Sequence, residues 1–120
     1  MTGFVKTLTW LLGIVLLVVG VLGFVMAPNG MLLGIFQVDT LHNIVHILSG
    51  AIALWAASSG YQYSRMYLII FGLVYGLVTV LGFMSGGFLG LFMVNSADNY
   101  LHTLIAAACL IVGFGSNKTA

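Results

Sequence analysis

Residues 34–54 read GIFQVDTLHNIVHILSGAIAL, and residues 90–110 read GLFMVNSADNYLHTLIAAACL. A shift of 56 aligns these stretches without a gap, and eight of their positions are identical. Asn43 and His46 match Asn99 and His102, and such polar residues are rare in this chain. We therefore interpret the two stretches as copies of one structural unit.

The repeat extends into the apolar segments that precede these stretches. With a shift of 59, residues 13–25 align with residues 72–84, and both contain Val-Leu-Gly-Phe near their ends. Each copy then holds two apolar segments, so both copies have the same orientation in a membrane. The natural relation between them is a pseudo-two-fold axis along the membrane normal.

The composition indicates an integral membrane protein. The chain has 120 residues, of which 62% are hydrophobic and 4% are charged, whereas soluble domains carry about 25% charged residues. A net charge of +1 gives no basic patch for phosphates, so nucleic acid is not an expected partner. Cys109 has no intrachain partner and is expected to be a buried packing residue.

Hydropathy predicts four membrane spans, because a helix needs roughly 20 apolar residues to cross the hydrocarbon layer. The spans are predicted at residues 8–26, 41–58, 64–84 and 97–115. The predicted fold class is an all-α, integral membrane four-helix bundle. Residues 1–120 form one domain, with repeats over about residues 8–58 and 64–115.

Charge predicts the orientation of the bundle. Lys6, Arg65 and Lys118 fall on one side of a four-span chain, and Asp39 and Asp98 fall on the other. By the positive-inside rule, both termini are expected to be cytoplasmic.

A polar cluster is predicted at the outer side of the second and fourth spans, on residues spaced along one helical face. Its members are Asp39, His42, Asn43, His46, Asp98, Asn99 and His102. Asp39 or Thr40, and Asn95 or Ser96, are suitable N-caps for these helices. The apolar loops at 31–38 and 88–94 are expected to fold over the helix starts.

Two close approaches are expected between the second and fourth spans. Their small residues, such as Gly50 and Ala106, predict that the two helices cross closely with His46 facing His102. His42 and Asp98 occupy corresponding positions in the two copies, and we hypothesise that they pair across the axis.

The segments 43–50 (Asn-Ile-Val-His-Ile-Leu-Ser-Gly) and 98–102 (Asp-Asn-Tyr-Leu-His) carry a family resemblance. They resemble an uncharacterised domain-of-unknown-function family of small prokaryotic four-helix membrane proteins with a repeated N-x-x-H motif. The resemblance covers roughly residues 10–112. It implies the fold, a prokaryotic inner-membrane location and a polar site, but no activity.

Three functions compete for the cluster. A structural or accessory subunit is favoured, in which asparagine and histidine hydrogen-bond across helices and fix their register; a larger membrane-protein partner or a homo-oligomer would then be expected besides the lipid. The alternatives are a site for a small solute or protons, or a metal site formed by His42, His46 and His102 with Asp98.

No organic cofactor and no enzymatic activity are expected. A haem between His46 and His102 is disfavoured because no Lys or Arg lies on that side to pair with its propionates. The sequence contains no hydrolase, phosphate-binding or dinucleotide-binding motif.

Overall fold

The computed structural model describes the main chain of residues 1–120 and every side chain except those of Pro28 and Phe88. It consists of four long helices and two short β-hairpins. In chain order these are α1 (Val5–Val25), β1 (Met31–Leu32), β2 (Phe36–Gln37), α2 (Thr40–Ser59), α3 (Tyr61–Ser85), β3 (Gly87–Phe88), β4 (Phe92–Met93) and α4 (Ser96–Gly115). One 3₁₀ turn, Thr2–Phe4, precedes α1, and another, Pro28–Gly30, precedes β1.

Each of the four helices is long and apolar enough to cross a membrane. A helix of 20 residues, as in α2 and α4, spans about 30 Å, which is the thickness of the hydrocarbon layer. The four spans expected from hydropathy are therefore confirmed as helices, with ends that differ by a few residues. Apolar side chains on the outer faces are exposed in the isolated chain, which is consistent with contact to lipid.

The first hairpin connects α1 to α2. Its strands are antiparallel, with Met31 opposite Gln37, and the Val38 N–H donates to the Gly30 carbonyl over 2.9 Å. Leu33 lies in the turn with φ of 56°, in the left-handed region that side chains rarely adopt.

The second hairpin connects α3 to α4 in the same way. Gly87 lies opposite Met93, the Val94 N–H donates to the Gly86 carbonyl over 3.0 Å, and Leu89 has φ of 52°. Both loops that sequence analysis expected to cover the helix starts are thus short antiparallel hairpins.

The closest helix packing occurs within the pairs α1–α2 and α3–α4. Gly50 permits it in the first pair, because a Cβ there would lie 2.5 Å from the Leu17 nitrogen of α1. In contrast, α2 and α4 make little main-chain contact. The prediction that the small residues of the second and fourth spans bring those helices together was wrong, since Gly50 faces α1.

The two ends of the bundle differ in charge. At the end opposite the hairpins, the Tyr61 hydroxyl donates to the Asn117 carbonyl over 2.5 Å, and Arg65 Nε donates to Ser116 Oγ over 3.2 Å. Lys6 lies in the first turn of α1 at this same end, and Lys118 follows α4. The positive residues therefore lie at one end, and both aspartates lie at the other, beneath the hairpins.

Candidate functional site

N-caps fix where α2 and α4 begin. Asp39 Oδ1 accepts the His42 N–H over 2.8 Å, and Asn95 Oδ1 accepts the Asp98 N–H over 2.9 Å. The Asp98 carboxylate accepts the Asn95 N–H in return, which completes a capping box. The predicted N-caps Asp39 and Asn95 are confirmed, and they set the turns from which the histidines project.

The histidines His42, His46 and His102 form one buried cluster. Each is at most 3% exposed, and one ring nitrogen from each lies within 4.8 Å of the other two. Ring centroids are 4.5 Å apart for His42 and His46 and 5.9 Å apart for His46 and His102. A tetrahedral ion bound at about 2.0–2.1 Å needs nitrogens about 3.4 Å apart, so the rings would have to move closer by up to about 1.4 Å to bind one.

The four ring nitrogens of His46 and His102 have no hydrogen-bond partner. His42 lies against the Gln37 main chain, which is within hydrogen-bonding reach of its ring. Buried polar groups are almost always hydrogen-bonded in native proteins, and leaving one without a partner costs about 1–3 kcal/mol. The cluster is therefore a concentrated set of unused metal ligands or hydrogen-bonding groups.

Asp98 does not pair with His42. His42 lies against the Gln37 main chain, and the Asp98 carboxylate is used by the capping box. The hypothesis of a pair across the axis was wrong because Asp98 is held to its own helix start. Asp98 also lies outside the group of three potential ligands found among the described residues.

The buried side chains of Asn43 and Asn99 pack against glycines of neighbouring helices. The Asn43 amide packs on Gly23 of α1, and the Asn99 amide packs on Gly82 of α3, so closely that a Cβ at either glycine would overlap the amide oxygen. The sequence placed both asparagines in the polar cluster. Their side chains instead contact the helix that precedes their own in the chain.

A small cavity adjoins the histidines. Its volume is about 20 Å³, which holds one water molecule but no larger solute. Ser49, Tyr75 and Phe92 line it together with the histidines, and Phe92 stacks on His42 with centroids 4.9 Å apart. Sequence reasoning missed these three residues, although the alignment of Phe92 with Phe36 marked a repeated position.

A second cavity, of about 100 Å³, shares His46 with the first. Its walls are mainly apolar and come from α1, the first hairpin and α4. Asp98, which is 2% exposed, also lines it. His46 and Asp98 therefore face a common space.

One hydrogen bond joins each hairpin to the other half of the chain, at the end of the bundle that holds the histidines. Asp39 Oδ2 accepts the Met93 N–H over 3.1 Å, and Asn95 Nδ2 donates to the Ile35 carbonyl over 2.9 Å. Asp39, which caps α2, therefore holds the second hairpin, and Asn95, which caps α4, holds the first. Sequence reasoning predicted the caps but not these two cross-links.

The fold is a small bundle of four helices that are each long and apolar enough to cross a membrane, which is compatible with a membrane protein, and a buried histidine cluster lies near one end. The chain belongs to the family described as Domain of unknown function (DUF4383), whose model matches residues 6–115. This confirms the uncharacterised family that the repeated N-x-x-H motif indicated. Comparison with curated proteins and with solved structures found no match.

Proposed function

We propose that this protein binds one metal ion inside the membrane, through His42, His46 and His102. The observation that carries the proposal is the convergence of three buried imidazoles, with one nitrogen of each within 4.8 Å of the others and no hydrogen-bond partner for either nitrogen of His46 or His102. Imidazole is a preferred ligand of zinc and copper. A bound ion would satisfy three of the nitrogens directly.

The alternative is a structural or accessory subunit whose histidines fix the helix register. Some buried polar groups of this bundle do make a bond between helices, since the Tyr67 hydroxyl of α3 donates to the Ser49 carbonyl of α2 over 2.9 Å. Others do not, because the Thr79 hydroxyl also lacks a partner. The convergence of three imidazoles within 4.8 Å favours a ligand role, because fixing the helix register does not require it.

The cavity that all three histidines line has a volume of about 20 Å³, which accommodates a water or an ion but no larger solute. The cavity of about 100 Å³ is lined by His46 alone of the three. A haem has no cationic partner nearby, since Lys6, Arg65 and Lys118 lie at the other end of the helices. The proposal retains the expectation that the protein is not an enzyme.

The proposal includes two repeated halves related by a pseudo-two-fold axis. Support comes from features that recur 56 residues apart: the caps Asp39 and Asn95, the hairpin registers, and the helices Thr40–Ser59 and Ser96–Gly115. The halves have unlike residues at the paired positions 42 and 98, so the ligand set is asymmetric.

The proposed location is the plasma membrane of a prokaryote, with both termini in the cytoplasm and the histidines near the outer surface. The segregation of three basic residues and two aspartates to opposite ends supports this orientation.

The test is elemental analysis of protein purified in mild detergent without chelator. We expect about one metal ion per chain, absent from a His46→Ala/His102→Ala double variant. Thr79→Val is the matched control, because it removes another buried, partnerless polar atom that is outside the ligand group. Wild-type protein that neither carries an ion nor takes up zinc, copper, cobalt or nickel would overturn the proposal, as would equal metal in the double variant.

A further inference from the structure

The chain has two acidic residues, and both lie beside the histidine cluster. Asp39 interacts electrostatically with His42 and with Asp98. Asp98 faces the cavity that it shares with His46. Both carboxylates of a chain with so few charged side chains therefore lie next to the same three imidazoles.

Within the chain no positive side chain lies near these carboxylates. Lys6, Arg65 and Lys118 are at the far end of helices that are about 30 Å long. The Asp39 carboxylate accepts the N–H groups of His42 and Met93, and the Asp98 carboxylate accepts that of Asn95 and interacts with the Gln37 main chain. Asp39 is half-buried, whereas Asp98 is 2% exposed. These bonds lower the cost of burying Asp98 but do not cancel its charge, and an uncompensated buried charge costs several kcal/mol.

Resting on the proposed metal site, we infer that its ion is divalent and is zinc(II), with Asp39 and Asp98 as its charge-balancing neighbours. Three imidazoles bind as neutral ligands, so a divalent ion and two carboxylates give a site of zero net charge. A monovalent copper ion would leave one negative charge without compensation at membrane depth.

The geometry also suits zinc. Zinc is usually four-coordinate, and three histidines with one water is a known ligand set for it. The cavity of about 20 Å³ beside Ser49 and Tyr75 is large enough for that one water.

Asp98 acts in this site as a positioning residue for His46. A metal-bound histidine usually donates its second ring N–H to a carboxylate or to a water, and loss of that partner lowers metal affinity by about 10–100-fold. The cavity shared by His46 and Asp98 provides the space for a bridging water.

The experiment compares the affinities of the full chain for zinc(II) and copper(I) in lipid nanodiscs. Each affinity is measured by competition with a chromophoric chelator, and the copper(I) measurements are made without oxygen. The variants are Asp39→Asn and Asp98→Asn, which remove charge, and Asp98→Glu, which keeps it. Asparagine is as good an N-cap as aspartate, so Asp39→Asn preserves the start of α2. Its amide nitrogen cannot accept the Met93 N–H, so the comparison of the two ions, and not the zinc(II) loss alone, reports the effect of charge.

We expect each asparagine variant to weaken zinc(II) binding by about 10–100-fold. Copper(I) binding should change by less than about threefold in Asp39→Asn and should weaken less than zinc(II) binding in Asp98→Asn, where His46 loses its partner for both ions. Asp98→Glu should stay close to wild type for both ions. A merely structural role would lower both affinities together. Equal losses of affinity for the two ions, or zinc(II) affinity that is insensitive to both aspartates, would overturn this inference. The metal site itself would still stand if binding depended on the histidines. Failure of wild-type protein to bind either ion would instead overturn the metal site itself.

Discussion

Asp39, at the start of α2, accepts a hydrogen bond from the main-chain N–H of Met93, which lies in the hairpin before α4. The carboxylate therefore caps its own helix and holds a strand that is 54 residues away in sequence. This contact joins the two halves of the chain directly above the histidines.

Asp39→Ala should loosen the second hairpin as well as the first. Loss of the cap alone is expected to cost about 1 kcal/mol, and the Met93 amide loses its acceptor. We predict faster hydrogen exchange at Met93 in the variant, with Ser59→Ala, which alters an exposed hydroxyl bonded to the Trp55 carbonyl at the other end of the bundle, as the control. Exchange changes confined to the start of α2 would contradict the cross-link.

Gly23→Ala should destabilise the α1–α2 pair, because the new methyl group overlaps the Asn43 amide. Overpacking of this kind costs about 1–3 kcal/mol. Gly76→Ala is the matched control, since a Cβ at Gly76 meets nothing within 4 Å. A helical Gly→Ala change at such an open position stabilises by up to about 1 kcal/mol.

The contact with Asn43 can be isolated by a double-mutant cycle. If the overlap causes the loss, Gly23→Ala combined with Asn43→Ala should be more stable than the sum of the single variants predicts, by about 0.5–3 kcal/mol. The free energy of unfolding in mixed detergent micelles is the measurement. Additive effects would place the cost of Gly23→Ala elsewhere.

His102→Leu should leave metal-free protein as stable as wild type, or make it more stable. The imidazole of His102 is 1% exposed and has no hydrogen-bond partner, so its removal relieves a burial cost of about 1–3 kcal/mol. Tyr67→Phe, which breaks a satisfied bond to Ser49, should destabilise by about 0.6 kcal/mol.

Metal should reverse this order of stability. At a free concentration 100 times the Kd, a bound ion stabilises wild type by about 2.7 kcal/mol and should not stabilise His102→Leu. Unfolding curves with chelator and with zinc(II) check both statements. A large loss of stability in metal-free His102→Leu would favour the structural role.

The hairpin turns should contact the membrane surface. Leu33 and Leu89, at the two turns, are 68% and 71% exposed, and apolar residues at such positions favour the lipid interface. We predict that a tryptophan placed at Leu33 is quenched by brominated lipids. A tryptophan at Thr119, in the polar C-terminal segment, should be quenched less; equal quenching would argue against hairpin immersion.

Helix positions were predictable from the sequence because apolar runs of about 20 residues leave few alternatives. The caps were predictable for a similar reason, since Asp39 and Asn95 are polar residues directly before such runs. The helix pairing was not, because Gly50 allows close approach but does not specify the neighbour. Only the structure shows that it faces Leu17 of α1.

The site was predicted in part. The spacing of His42 and His46 placed them on one helical face, and the repeat brought in His102. The role of Asp98 was misjudged, because its carboxylate can satisfy a capping box locally and that bond depends on backbone geometry. Phe92 and Tyr75 approach the histidines from other elements, and no sequence spacing records such contacts.

The sparse main-chain contact between α2 and α4 has a mechanical consequence. Because two of the three histidines project from α2 and the third from α4, an ion at their centre would couple helices that otherwise pack chiefly on their own partners. Binding of the ion would then restrict the motion of the pair α1–α2 relative to the pair α3–α4. The amplitude of that motion would report whether the ion is bound.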